Sequence, residues 1–128
     1  MTTALIKETD DSLYSVSINV NGHQFIGDEP ESFGSKDLGP APYDLLTASL
    51  GECTAMTIRW YAIKKGWDVG TVTVEVTYEK RDEQNVFSKK VHIEGDNLSD
   101  ERRARLHDVA HKCPVQKTLL SNIAIETL

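Results

Sequence analysis

Two cysteines, Cys53 and Cys113, are the residues best suited to carry chemistry in this chain. A thiolate is both a nucleophile and a metal ligand, so what matters is what lowers each thiol pKa. Two cysteines are too few for a disulfide scaffold. In a reducing compartment such a pair is redox-active, metal-binding or simply buried. The local sequence treats them differently. Cys53 follows Glu52, and the next acid upstream is Asp44; neither favours a thiolate. Arg59 is six residues on, well round a helix from Cys53. Cys113 sits beside Lys112, with Lys117 close by, and it precedes Pro114. It can therefore cap the next helical turn, where the helix dipole lowers a thiol pKa. On local field alone Cys113 is the more acidic thiol. The competing reading for both is a small core hydrophobe, inert because it is buried.

Other features suggest rival chemistries. His107, His111 and Cys113 could ligate zinc, with the fourth ligand unassigned. Arg102, Arg103 and Arg105 alternate with Asp100, Glu101 and Asp108, which reads as a solvated helix face. Gly34 and Gly39 belong to a loop and form no phosphate cradle. The net charge of −6 repels nucleic acid. The opening residues hold no signal-peptide core, and no apolar run reaches the ~20 residues of a membrane span. The expectation is a single domain, residues 1–128, in the cytoplasm, with no nucleic-acid or membrane partner.

The elements that must position the thiols follow from periodicity. Thr3 to Thr9 is a short mixed run. Leu13 to Val20 alternates, with Tyr14, Val16, Ile18 and Val20 on one side, as in a half-buried strand. Asn21-Gly22 suits a type I′ turn, and His23 to Gly27 returns as its partner. A long loop runs from Asp28 to Pro42. A helix follows over Tyr43 to Lys65, with Pro42 in its first turn and Gly66 after its end. Leu46, Ser49, Cys53, Met56, Trp60 and Ile63 make its expected buried face. Thr71 to Arg81 and Phe87 to Gly95 pair as a second hairpin. Ser99 caps a helix whose apolar face is Leu106, Val109, Ala110 and Cys113. Val115 to Leu120 forms a further turn or two, and Ile123 and Ile125 a closing edge strand. The class is α+β, with a long helix at its centre.

Three stretches carry a resemblance. They are Gly39-Pro40-Ala41-Pro42-Tyr43-Asp44-Leu45-Leu46, Leu50-Gly51-Glu52-Cys53-Thr54-Ala55-Met56-Thr57, and Ala110-His111-Lys112-Cys113-Pro114-Val115. Together they resemble the OsmC/Ohr family, in the OsmC-like branch whose helix opens with Gly-Pro-x-Pro-Tyr. The resemblance implies antiparallel sheets wrapped around long central helices in an intertwined homodimer. It implies thiol-dependent reduction of hydroperoxides, organic ones above all, as oxidative stress defence. Cys53 then matches the attacking thiol, which becomes a sulfenic acid. Cys113 matches the resolving thiol, which closes a disulfide that an external dithiol reductant reopens. No cofactor and no metal are implied. The chain departs from the family in one respect. Members carry a glutamate ten residues before the first cysteine and an arginine in the N-terminal strands. Here the helix position is Tyr43, beside Asp44, and no arginine precedes Arg59. Lys36 in the long loop is a substitute cation to consider. The alternative reading is a non-catalytic binding protein of the same fold with unreactive cysteines.

Overall fold

The computed structural model describes residues 1–128 and shows an α+β chain with antiparallel sheets and one long helix. Its residues gather into two compact units, 1–46 and 47–128.

The first unit is a three-stranded sheet in the order β1-β2-β3, with β1 at Ala4–Glu8, β2 at Val16–Val20 and β3 at His23–Gly27. Asn21 and Gly22 both take positive φ, 50° and 82°, as the type I′ turn requires. The second strand starts three residues later than the alternation suggests. The cause is Ser15, a buried hydroxyl bonded to Thr9 Oγ1 and to the Ser12 amide, which draws the backbone into a turn instead of the ladder.

The loop after β3 is organised by one carboxylate. Asp28 is 3% exposed and accepts hydrogen bonds from the Ser35 hydroxyl, the Glu29 amide at 2.8 Å and the Leu38 amide at 3.1 Å. Burial pushes its carboxyl up. Bonds from Ser35, the Leu38 and Glu29 amides and Ser12 outweigh that and hold it at about 2. Ser12 bridges to the same group through Ser35 and also accepts from the Lys36 amide at 2.8 Å. The loop then returns along β3, where the Asp28 amide donates to Pro40 O at 3.2 Å. At that approach a Cβ on Gly39 would lie 1.8 Å from Ile26 O. The glycine of the Gly-Pro-x-Pro-Tyr motif is therefore a close-packing requirement.

Helix α1, Pro42–Lys65, begins in this unit and continues into the next. Pro42 occupies its first position, and Asp44 Oδ2 accepts from the Ala41 amide at 2.9 Å, one half of a capping box. The helix ends in a Schellman motif: Gly66, at φ 70°, donates to Ile63 O, and Trp67 donates to Ala62 O.

In the second unit, the buried residues of α1 are Leu50, Thr54, Ile58 and Ala62, four apart. This corrects the expected face. Met56, Trp60 and Ile63 are 63%, 58% and 70% exposed, and Leu46 is exposed too. Cys53 is half-buried beside the true buried row. Hydropathy misleads here because the buried row holds a threonine and a small alanine, while the largest side chains lie outside it. Strands β4, Val72–Arg81, and β5, Gln84–Ile93, form a two-stranded antiparallel ribbon. Val72, Val74, Val76 and Tyr78 alternate with exposed neighbours as expected. The ribbon's turn is tighter than the polar run suggests, just Asp82 and Glu83, with Asp82 at φ 53°. Helix α2, Asp100–Ala110, is capped by Ser99, whose hydroxyl accepts from the Arg102 amide. Its Leu106 and Ala110 pack with Ile58, Ala62, Val69 and Ile93 as the core. Fully burying Ile58 stabilises by about 2 kcal/mol. Arg103 fixes α2 to the end of β5 by donating to Ile93 O and Gly95 O. Arg102 stacks on Trp67, and Arg105 donates to Tyr61 Oη. Helix α3, Pro114–Leu119, follows. The expected closing strand is absent: Ile123 and Ile125 are exposed and pair with nothing in this chain. No helix is long and apolar enough to cross a membrane.

Candidate thiol site

Pro114 decides where the second cysteine sits. It forces Cys113 into extended geometry, φ −61° and ψ 130°, and starts α3 immediately after. Cys113 is thus the N-cap of α3, as its sequence suggests, and its sulfur accepts from the Gln116 amide at 3.4 Å. It is fully buried, at 0% exposure. Cys53 comes from the middle of α1. Its sulfur accepts from the Val115 amide at 3.5 Å, the second residue of α3. It also lies 4.0 Å from Thr57 Oγ1, whose proton is given to Cys53 O at 2.7 Å. Both cysteines are free, and each thiol shifts the pKa of the other. Residues about sixty apart in sequence are thereby one chemical group.

The two thiols are shifted in opposite directions. Burial pushes Cys113 up, but hydrogen bonds from Cys53, the Gln116 amide, the Thr54 hydroxyl and the Val115 amide outweigh it and hold it below its ordinary value. Burial also pushes Cys53 up. The Val115 amide pulls it down, but the bond to Cys113 and the charge there add to the rise. The two sulfurs titrate as one pair that takes its first negative charge more readily than a lone buried thiol would.

The sequence reading missed the cation at this site. Lys89, from β5, donates to Thr54 Oγ1 at 3.1 Å and to Ala110 O at 2.7 Å. Burial lowers its pKa, while the charges of Cys113 and Cys53 raise it. One signal for it was present: Lys89 falls at an inward position of a strand whose alternation otherwise reserves that side for apolar residues. Lys36 lies on the loop of the first unit with an exposed side chain. Lys112 and Lys117 flank Cys113 but are exposed.

A cleft of about 510 Å³ opens beside Lys89, lined also by Leu50, Arg81, Phe87, His111 and Gln116. The Gln116 Oε1 atom is buried there without a hydrogen-bond partner. His107 and His111 are exposed while Cys113 is buried, and no three His, Cys, Asp or Glu side chains converge as a metal site. The zinc reading of His107, His111 and Cys113 has no geometric support.

With the site described, the likeness to known proteins becomes specific. The OsmC-like protein family matches residues 34–128, and the chain belongs to that family. No curated protein sequence matches it. Among solved structures, a candidate osmotic stress induced and detoxification response protein from Psychrobacter arcticus is 25% identical, with a TM-score of 0.75 over 92% of this chain and 88% of that one. The organic hydroperoxide resistance protein OsmC from Legionella pneumophila is 21% identical, with a TM-score of 0.62 over 95% and 90%. The organic hydroperoxide resistance protein OhrB of Bacillus subtilis is 17% identical, with a TM-score of 0.63 over 95% and 92%. The two resistance proteins share the fold with this chain.

Proposed function

We propose that the protein is a thiol-dependent hydroperoxide reductase acting on organic hydroperoxides, with Cys53 as the attacking and Cys113 as the resolving thiol. The observation that carries this reading is the pairing of the two sulfurs on adjacent amides of α3, Val115 to Cys53 and Gln116 to Cys113, with one sulfur half-buried and the other sealed. A peroxide reaches the half-buried sulfur first. The acidity of Cys113 does not oppose this order, because the pair titrates together and the proton of Cys53 can pass to the Cys113 thiolate. The Cys53 thiolate then attacks the distal oxygen of the hydroperoxide. The O–O bond breaks, and the departing alkoxide takes the proton from Cys113 and leaves as the alcohol. Cys53 is now a sulfenic acid. The Cys113 thiolate attacks that sulfur, the S–O bond breaks, and hydroxide leaves to become water with one solvent proton. The two electrons spent on the O–O bond come from the dithiol, which ends as a disulfide. An external dithiol returns it, so turnover needs a reducing compartment such as the cytoplasm.

The working unit of this reading is an intertwined homodimer of one-domain chains. The support is the row of Met56, Trp60 and Ile63, which lines an open groove with Ala55, Arg59 and Val72 and is too apolar to be left in water. The exposed Ile123 and Ile125 add a second surface that a copy of the chain would cover. Sedimentation at micromolar concentration is expected to show twice the monomer mass, and Trp60→Asp to shift it toward the monomer. A wild-type monomer would remove the dimer from this reading.

Mass spectrometry after one equivalent of an alkyl hydroperoxide tests the chemistry. The expected result is a loss of two hydrogens that Cys113→Ser prevents. An unchanged mass would favour a binding protein of the same fold with inert cysteines.

A further inference from the structure

The Thr54 hydroxyl donates to Leu50 O at 2.8 Å, the usual i−4 bond of a helical threonine, and it is among the groups that lower the Cys113 pKa. The oxygen meanwhile accepts from Lys89 Nζ. A charged donor on a hydroxyl oxygen makes its remaining proton a better donor. Ala110 O at 2.7 Å holds the ammonium in that place. Thr54 is fully buried, so water does not compete for these bonds. We propose that Lys89 is the positioning residue of the thiol pair: its ammonium, seated on Thr54 and Ala110 O, holds the first negative charge on the two sulfurs and so supplies the thiolate from which Cys53 attacks. The reading rests on the proposed peroxidase chemistry only for its use; the electrostatic arrangement stands without a peroxide.

The charged and titratable groups around this relay are few. Cys53 and Thr54 come from α1, Lys89 from β5, and Cys113 from the start of α3. The cleft beside Lys89 adds Arg81 of β4 and His111 at the end of α2, and its lining contains no carboxylate. The ammonium therefore has the thiol pair as its counter-charge on this side, which is why both cysteines raise its pKa against the effect of burial.

The test is a thiolate titration by absorbance near 240 nm, made without any peroxide. Lys89→Met should raise the midpoint of the first thiolate by about one pH unit, a roughly tenfold loss of thiolate below it, and Lys89→Arg should restore most of it. Thr54→Val should reproduce part of the rise while leaving the ammonium in place. Circular dichroism confirms that each variant is folded. An unmoved midpoint in folded Lys89→Met overturns the inference. If that variant fails to fold, the wild-type protein decides. With ¹³C-labelled lysine, Lys89 should titrate at lower pH in the disulfide form than in the reduced form, because oxidation removes its counter-charge. The coupling is reciprocal by linkage, so identical titrations in the two forms overturn it. A shifted thiolate in a protein that leaves peroxide untouched supports the role of Lys89 and defeats the peroxidase reading. Peroxide consumption with the same pH profile in wild type and Lys89→Met does the reverse.

Discussion

The two units each bury a charged group, and they treat it in opposite ways. In the first, Asp28 is surrounded by donors that belong to it alone: Ser35, two loop amides and, through the serine pair, Ser12. Each donor has given its proton to that cluster, so nothing remains to be exchanged. The carboxylate is fixed and its pKa is low. In the second, two thiols share their charge beside the ammonium of Lys89, which Thr54 and Ala110 O hold in place. Once the first thiol proton is lost, the two sulfurs have one proton between them. Saturation makes a scaffold, whereas shared protons make a group that can react. The same physics of buried hydrogen bonds thus produces a rigid loop in one place and a chemical centre in the other.

The largest expected effects lie in the second cluster. Cys53→Ser should reduce peroxide consumption to background, whereas Cys113→Ser should allow one reaction and stop at a sulfenic acid trapped by dimedone. If Cys53→Ser keeps a dimedone-reactive sulfur while Cys113→Ser is inert, the order of attack is reversed, and the acidity of Cys113 determines chemistry as well as charge.

Next comes the packing that supports the first cluster. Gly39→Ala places a methyl group against Ile26 O, which a backbone contact cannot relieve without moving the loop. The expected cost is about 2 kcal/mol, seen as a lower midpoint in urea. Unchanged stability would mean that the loop returning along β3 yields easily, and the contrast with the reactive cluster would weaken.

The smallest effect is a pH dependence. The Asp28 carboxyl is at about 2, below its ordinary 3.8, so its contribution is complete above 3.8 and is lost as pH falls from there toward 2. Asp28→Asn should lower thermal stability at neutral pH, flatten this acid limb, and leave the thiolate titration unmoved. A change in that titration would show that the two clusters are not independent. In the second cluster the sign is the same: Cys113 is held below its ordinary value, so reactivity should rise with pH through a midpoint below that of a free thiol.

Much of this was legible from residue types. Asn21-Gly22 specifies its turn because few other pairs accept two positive φ values. Pro42 and Gly66 mark the ends of α1, since one lacks an amide proton and the other tolerates φ 70°. Pro114 makes Cys113 an N-cap, and local chain geometry is sufficient to do so. The three motifs around Gly39, Cys53 and Cys113 carried the family, which the match over residues 34–128 shows. The tertiary structure decided the rest. Which face of α1 is buried depends on what packs against it, and a buried row that includes a threonine with its hydroxyl bonded internally is invisible to a hydropathy period. The terminal isoleucines alternate as a strand does, but they pair with neither sheet of this chain. Lys89 reads as one polar residue in a ribbon. Only the folding of β5 against α1 and α2 brings its ammonium to Thr54 and Ala110 O, where burial makes a single charge count.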